Sequence, residues 1–210
     1  MSVKFVAMSK VPSSQLVLDA AYRCFCRTGY RRTTVSDIVE EAQMSRPTVY
    51  KYVGSKEEAI VKVVQSLLDR AGVAARAAAE AAATPEEKVL AVLTVKLEVA
   101  IRLWQDSPAH AQELLTAATA QAPGLVTAYT DGLAALLTAA LAEVVPDTAR
   151  QAAAVLLTFT RGLEDDLRDT DAVREELAAG VQMITRGALA RSVSTPAGPP
   201  RPDPAERRPS

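Results

Sequence analysis

The stretch that decides the fold runs from Leu16 to Glu58 and reads LVLDAAYRCFCRTGYRRTTVSDIVEEAQMSRPTVYKYVGSKEE. Thr34, which has an aspartate three residues on, is placed to cap a short helix. The dipeptide Gln43-Met44 then predicts a tight turn, and Ser45 is placed to cap a third helix over residues 46–52. Two short helices joined by a tight turn are therefore predicted.

A longer helix is predicted before this pair. Ser13 or Ser14 is placed to cap it, and it should run to about Arg27. The Thr28-Gly29 pair would end it, with the glycine in the left-handed cap position. Three helices with a tight turn between the second and third have the layout of a helix-turn-helix domain.

The third helix has few apolar residues to bury, namely Val49 and, less clearly, Tyr52. Its other side chains are hydrogen-bond donors that would face outward. A short helix that exposes donors suits the major groove of DNA. The outward-facing donors are Arg46, Thr48, Tyr50 and Lys51.

Charge is uneven along the chain. Residues 1–56 carry nine basic and four acidic side chains, although the whole chain has a formal net charge of −1. We call residues 1–56 the head, and the rest of the chain carries a net negative charge. The positive head indicates a polyanion partner, of which nucleic acid is the commonest. Alternatively, these are the few excess charges that small domains often carry.

The rest of the chain predicts an all-α protein. Hydrophobic residues make up 49% and aromatic residues only 4%, which favours close-packed helices over a sheet. We predict a DNA-binding domain at 10–55, a larger helical domain at 56–191 and a tail at 192–210. The tail holds six of the twelve prolines and is predicted to be disordered.

Several function classes lack support in the sequence. No uninterrupted apolar run reaches the length of a membrane span and no secretory signal is evident, so we expect a cytoplasmic protein. Cys24 and Cys26 lie two residues apart on a helix and are expected to be free thiols. The single histidine, His110, supports neither a metal site nor a catalytic constellation, so we expect no enzyme, metal or cofactor. The acidic run 164–171 could hold a cation, although a solvated face is the better interpretation.

The stretch 16–58 resembles the DNA-binding domain of the TetR/AcrR family of transcriptional regulators. Three departures are Gln43 where the family usually has glycine, Tyr52 where it has histidine, and Val53 where it has an aromatic residue. Pro47 in the first turn of the third helix also removes one backbone donor. The residues that carry the resemblance are Ala20-Ala21, Phe25, Gly29-Tyr30, Thr33-Thr34, Ile38, Ser45-Arg46, Thr48-Val49-Tyr50, Tyr52 and Gly54-Ser55-Lys56-Glu57-Glu58.

The resemblance and the side-chain chemistry together give candidate DNA contacts. Arg46 can grip guanine O6 and N7, and Thr48 can meet a thymine methyl group or a phosphate. The remaining candidates would hold phosphates and set the register, except Ser45, which is a candidate DNA contact without an assigned role. They are Thr34, Ser45, Tyr50, Lys51, Tyr52 and Lys56.

The resemblance also implies a ligand cavity in the larger domain and a homodimer through the last two helices. Such a protein would be a repressor that releases a palindromic operator when a small apolar or amphipathic effector binds. Trp104, His110, Tyr129 and Phe159 either line that cavity or are ordinary core residues. Two apolar stripes are candidates for the dimer interface, and Gly162, Gly180 and Gly187 would allow the helix backbones to approach closely. The stripes are Ala152, Leu156, Phe159 and Leu163, and Leu177, Val181, Ile184 and Leu189.

Overall fold

The computed structural model of the chain describes residues 12–194, and this part contains nine helices and no strand. The all-α prediction is therefore confirmed. The helices are α1 Ser13–Thr28, α2 Val35–Ala42, α3 Arg46–Val53, α4 Lys56–Ala81, α5 Pro85–Asp106, α6 Ala111–Gln121, α7 Pro123–Ala142, α8 Ala149–Leu163 and α9 Thr170–Ser194.

Local capping signals set most helix starts. The Thr34 hydroxyl accepts from the Asp37 N–H while the Asp37 carboxylate accepts from the Thr34 N–H, which completes the predicted capping box. Ser13 and Ser14 do not cap α1, contrary to prediction. The Pro12 carbonyl accepts the first helical N–H groups, so Ser13 already lies inside the helix. The predicted disordered tail falls mainly at 195–210, outside the described residues.

The first three helices pack around one small apolar cluster. Phe25 of α1, Ile38 of α2, and Val49 and Val53 of α3 are all completely buried. Burial of four such side chains contributes roughly 1.5–3 kcal/mol each before conformational entropy is counted. This cluster fixes α2 and α3 on α1.

Helix α4 belongs to both halves of the molecule. At its N-terminal end Ile60 and Val63 join the cluster of α1–α3, whereas Ala75 near its other end joins the core of the larger domain. Leu114 and Ala118 of α6 also pack on the first cluster. The predicted boundary after residue 55 coincides with a helix start, and packing continues across it.

The larger core lies among α4, α5, α7, α8 and α9. Most residues of the stripes predicted for a dimer face inward, so that part of the prediction is wrong for them, whereas Leu189 is 39% exposed. Leu156 and Leu177 are almost fully buried within this one chain, and the Phe159 ring packs directly on Gly180. An amphipathic stripe shows that a face is buried, and here α8 and α9 bury those faces against their own core.

Within the described residues, α7 is the one helix with the length and hydropathy of a membrane span. Its most apolar 18-residue segment has a mean hydropathy of 1.5, and 22% of that segment is buried. It contacts α4, α5, α6 and α8. Length and composition alone are weak evidence for a membrane segment, since core helices of globular proteins pass the same test.

The turn between α2 and α3 places Gln43 in the left-handed region, with φ 52° and ψ 37°. It is the one residue other than glycine with positive φ among residues 12–194. A side chain in this region costs about 1–2 kcal/mol. The departure from glycine therefore leaves the turn geometry in place and carries strain.

We expect Gln43→Gly to raise the free energy of unfolding by about 0.5–1 kcal/mol, because relief of strain outweighs the added freedom of the unfolded chain. Denaturant titration of both proteins measures the change. Gln43→Ala is the matched control and should give little gain, since alanine keeps a Cβ in the same backbone conformation. Equal stability of the glycine and alanine variants would contradict the strain.

Candidate nucleic-acid interface

The exposed face of α3 follows from what the helix buries. Val49 and Val53 lie one turn apart and are buried in the apolar cluster, so Arg46, Tyr50 and Lys51 point away from it. Tyr52 packs against the edge of the cluster. Arg46 is exposed, and Tyr50 is 44% exposed, a high value for so large an apolar ring. The predicted outward direction of both side chains is observed.

Arg46 is held in place by the neighbouring helix. Its Nη2 donates to the Oγ of Ser36 on α2, with a distance of 2.9 Å. The hydrogen bond restricts a long side chain and thereby lowers the entropy that it would lose on binding. Ser36 was not among the sequence candidates, because its proximity to residue 46 depends on the packing of α2 on α3.

The candidate hydroxyl groups already serve as helix caps. The Ser45 Oγ accepts from the Thr48 N–H and lies 2.8 Å from the Thr48 Oγ1. Thr34 Oγ1 donates to the Asp37 carboxylate at 2.9 Å. These groups remain exposed at the start of α2 and α3, where free backbone N–H groups favour an anion.

The other candidates differ in their exposure and in how many contacts they make within the chain. Lys51 is exposed, with its Nζ 5.7 Å from the centre of the Tyr52 ring, and Tyr52 is half-buried. Lys56 donates to the Arg31 carbonyl at 3.4 Å and lies 4.8 Å from the centre of the Tyr30 ring. Lys56 therefore ties α4 to the loop before α2, which limits its freedom to reach a phosphate.

Ion pairs neutralise some of the positively charged side chains of the head. Arg23 and Arg27 of α1 both donate to Glu41 of α2, at 2.7 and 2.9 Å, and together they hold the pKa of that carboxyl below its ordinary value. Arg32 is exposed and, within residues 12–194, has no ion-pair partner, as is also true of Arg46 and Lys51. The uncompensated cations of the described head thus lie around α2 and α3, and Arg32 is a further candidate.

Polar contacts join α1 and the adjoining loop to the corner between α5 and α6. Tyr22 Oη donates to Asp106 at 2.7 Å, and Ser107 Oγ donates to the Cys26 carbonyl at 3.0 Å. The Arg31 N–H donates to Glu113 at 2.8 Å. The corner between α5 and α6 is therefore hydrogen-bonded directly to α1 and to the loop that follows it.

The larger domain contains a cavity of about 1180 Å³ among α4, α5, α6, α7 and α8. Of the four residues suggested for a ligand site, Tyr129 lines it. Trp104 and Phe159 pack on the core instead, and His110 lies beside Gly29 at the α5–α6 corner. The structure thus does not bring these four residues together, because their sequence spacing carried no information on which helices surround the space.

Lys96 and Glu164 form a largely buried ion pair in the wall of this cavity. Burial raises the pKa of the Glu164 carboxyl, and Lys96 opposes that shift. Burial also raises the pKa of Tyr129 to about 12, and its hydroxyl is buried with no hydrogen-bond partner in the described part of the chain. The cavity is therefore apolar with a few polar groups on one side.

The acidic run 164–171 does not form a cation site. Its carboxylates bind Lys96, Arg168 and Arg174, and Asp169 accepts from the Ala172 N–H at the start of α9. Residues 12–194 contain no group of three histidine, cysteine, aspartate or glutamate side chains suited to a metal ion. Both cysteines are free thiols.

The three N-terminal helices, their turn and the exposed third helix define a helix-turn-helix protein of the DNA-binding class. Residues 17–61 match the family model described as bacterial regulatory proteins, tetR family. Residues 17–61 thus form a DNA-binding domain of the TetR family, as the resemblance implied.

Curated relatives match part of the chain. The HTH-type transcriptional regulator BetI of Rhizobium meliloti is 39% identical over 90 residues, which cover 43% of this chain and 44% of the relative. The uncharacterized HTH-type transcriptional regulator YfiR of Bacillus subtilis is 38% identical over 69 residues, covering 33% and 34%. The chain thus spans less than half the length of these two relatives. Both are named as regulators rather than enzymes, in agreement with the sequence prediction.

Solved structures extend the likeness to the whole fold. A TetR-family transcriptional regulator from Streptomyces coelicolor has a TM-score of 0.68 at 21% identity, covering 84% of this chain and 96% of that one. The fatty acid degradation regulator FadR from Bacillus halodurans has a TM-score of 0.60 at 21% identity, covering 86% and 96%. At this identity the likeness concerns the fold.

The Glu41 ion pairs predict how stability of the head depends on pH. The pKa of Glu41 is lower in the folded chain, so its contribution is present above the unfolded pKa and is lost as pH falls through the folded pKa. We expect Glu41→Gln to lose less stability than the wild type between neutral and acidic pH. Denaturant titration at several pH values measures both losses. Parallel pH profiles for the two proteins would contradict this role.

Proposed function

We propose that the chain is a DNA-binding repressor that acts as a homodimer on a palindromic operator and releases it when a small apolar or amphipathic effector binds. The observation that carries the proposal is the exposed face of α3, with Arg46 and Tyr50 projecting outward among uncompensated cations. A cytoplasmic location, where the operator DNA would be, accompanies this function.

The chemistry of the exposed groups suggests a division of roles. Arg46 has a planar fork that fits guanine O6 and N7, so it is the proposed base reader. Lys51 and Tyr50 are proposed phosphate contacts, which set position without reading sequence. Arg32 joins them because it is exposed and uncompensated beside the N-terminus of α2.

We expect Arg46→Ala to weaken operator binding by about 1–3 kcal/mol and to leave binding to random DNA nearly unchanged. The operator is first selected from a random DNA pool with the full chain, and gel-shift titrations at fixed salt then compare the two DNAs. Lys51→Ala is the matched control, because loss of a phosphate contact weakens both DNAs alike and reduces the salt dependence by about one ion. Equal losses on both DNAs for Arg46→Ala would contradict base reading.

A dimer face is supported by the outward side of α8 and α9. Val155 is 47% exposed and Met183 is 73% exposed, which is unusual for large apolar side chains. A Cβ added at Gly162 or Gly187 would meet nothing within 4 Å, so both glycines leave open space there. A second copy of the chain packed on this face would form a four-helix bundle with two-fold symmetry.

Such a dimer would present two copies of α3 to one side of the DNA. A spacing of about 34–36 Å would place them in successive major grooves. Effector binding would change that spacing through α4 and the α5–α6 corner. A coupling of about 1–3 kcal/mol, which is roughly 5- to 150-fold in operator affinity, would suffice for release.

We expect Met183→Lys to weaken the dimer by at least about tenfold, because the ammonium group would lose water in the interface. Sedimentation equilibrium measures the dissociation constant. Gln182→Lys is the matched control, since it adds the same charge to an adjacent exposed residue on another side of α9. Unchanged dimerisation of Met183→Lys, or equal loss in the control, would place the interface elsewhere.

A further inference from the structure

A second cavity lies against the DNA-binding domain. It measures about 900 Å³ and is bordered by α1, α4, α5 and α6. Its α1 side is lined by Tyr22, Phe25 and Cys26 and by the charged side chains of Asp19, Arg23 and Arg27. Each cavity by itself approaches or exceeds the size of an ordinary small-molecule site.

The two cavities share one thin wall. Val64 and Leu68 of α4, Val99 and Leu103 of α5, and Leu115 of α6 border both of them. All five side chains are aliphatic. Three of them, Val64, Leu68 and Leu103, also pack on the apolar cluster of α1–α3, so a ligand that passes between the cavities would displace side chains in contact with that cluster. We call these five residues the partition.

The first cavity has a polar region between α5 and α8, where Lys96 and Arg161 both lie near Glu164. Lys96 and Glu164 neutralise each other there, and Arg161 and Arg150 also line the space. Neither arginine has an ion-pair partner within residues 12–194, and the remaining lining acid is Asp131. The lining therefore has one more positive than negative side chain, which favours a carboxylate over a cationic group.

We propose that the two cavities form one compartment for an elongated anionic amphiphile of the fatty-acid type. Its carboxylate lies near Lys96 and Arg161, its chain passes the partition, and its end lies against α1 beside Tyr22 and Cys26. This inference rests on the proposed effector role of the first cavity and names the class of the effector.

The length of α5 sets the scale of such a ligand. Lys96 and Asp106 are ten residues apart on this helix, or about 15 Å at 1.5 Å per residue, and Asp106 accepts from Tyr22 of α1. A short acid would fill the first cavity alone. A long one would also touch α1, whose buried face holds α2 and α3, so chain length should govern both affinity and DNA release.

The test is calorimetric titration of the full chain with octanoate and with tetradecanoate, each below its critical micelle concentration. Each methylene that leaves water can strengthen binding by up to about fourfold. We expect tetradecanoate to bind at least about tenfold more tightly than octanoate and to release operator DNA at lower occupancy.

Variants separate the two cavities. Val95 lines the second cavity and not the first, so Val95→Phe should remove most of the chain-length gain and leave octanoate binding within about twofold. Thr94→Phe fills the same cavity and replaces it if the first variant unfolds. Ala134→Phe narrows the first cavity and should weaken both acids. The matched control is Val73→Phe, which adds the same ring at a side chain that is 66% exposed.

Three results would overturn the proposal. They are equal binding of the two acids, an equal loss of both acids in Val95→Phe, and tighter binding of an alkyl trimethylammonium than of the acid with the same chain. Tight, length-dependent binding that leaves operator affinity unchanged would support the compartment and refute effector-controlled release. Operator release by another compound, without acid binding, would do the reverse.

Discussion

Burial of Val49 and Val53 against α1 is the constraint on which the DNA-binding surface depends. Helix α3 has eight residues and therefore room for only one buried stripe. Once that stripe is fixed, the directions of Arg46 and Tyr50 follow from the helical period. The strained turn at Gln43 supplies the angle between α2 and α3, and Ser36 then lies close enough to hold the arginine.

Sequence reasoning was reliable where the deciding signal is local. The Thr34 capping box and the start of α3 at Ser45 were predicted because each needs only three or four consecutive residues. Sequence reasoning failed where the deciding contact joins residues that are far apart in the chain. The apolar stripes of α8 and α9 pointed correctly to burial, but periodicity cannot tell whether the covering surface belongs to the same chain or to another.

The cavities are the least predictable part of the molecule, and composition explains their presence. Aromatic residues are only 4% of the chain, so few side chains are large enough to fill the spaces between long helices. Helix α7 contributes several alanines to the first cavity, where bulkier residues would close it. Each lining residue looks ordinary in the sequence, since the space depends on the positions of five helices.

Gly29 has a φ of 79°, and a Cβ there would lie 2.7 Å from Glu113 and 3.0 Å from His110. Position 29 therefore requires glycine for two independent reasons, the positive φ and the lack of space for a Cβ. Gly29 lies outside both the proposed DNA-binding surface and the lining of the two cavities. Substitutions at Gly29 would disturb the packing of α6 against the head while leaving the proposed DNA-binding surface and the cavities intact. For the proposed repressor, a genetic selection at position 29 should therefore yield variants that bind operator and effector but no longer release the operator when the effector binds.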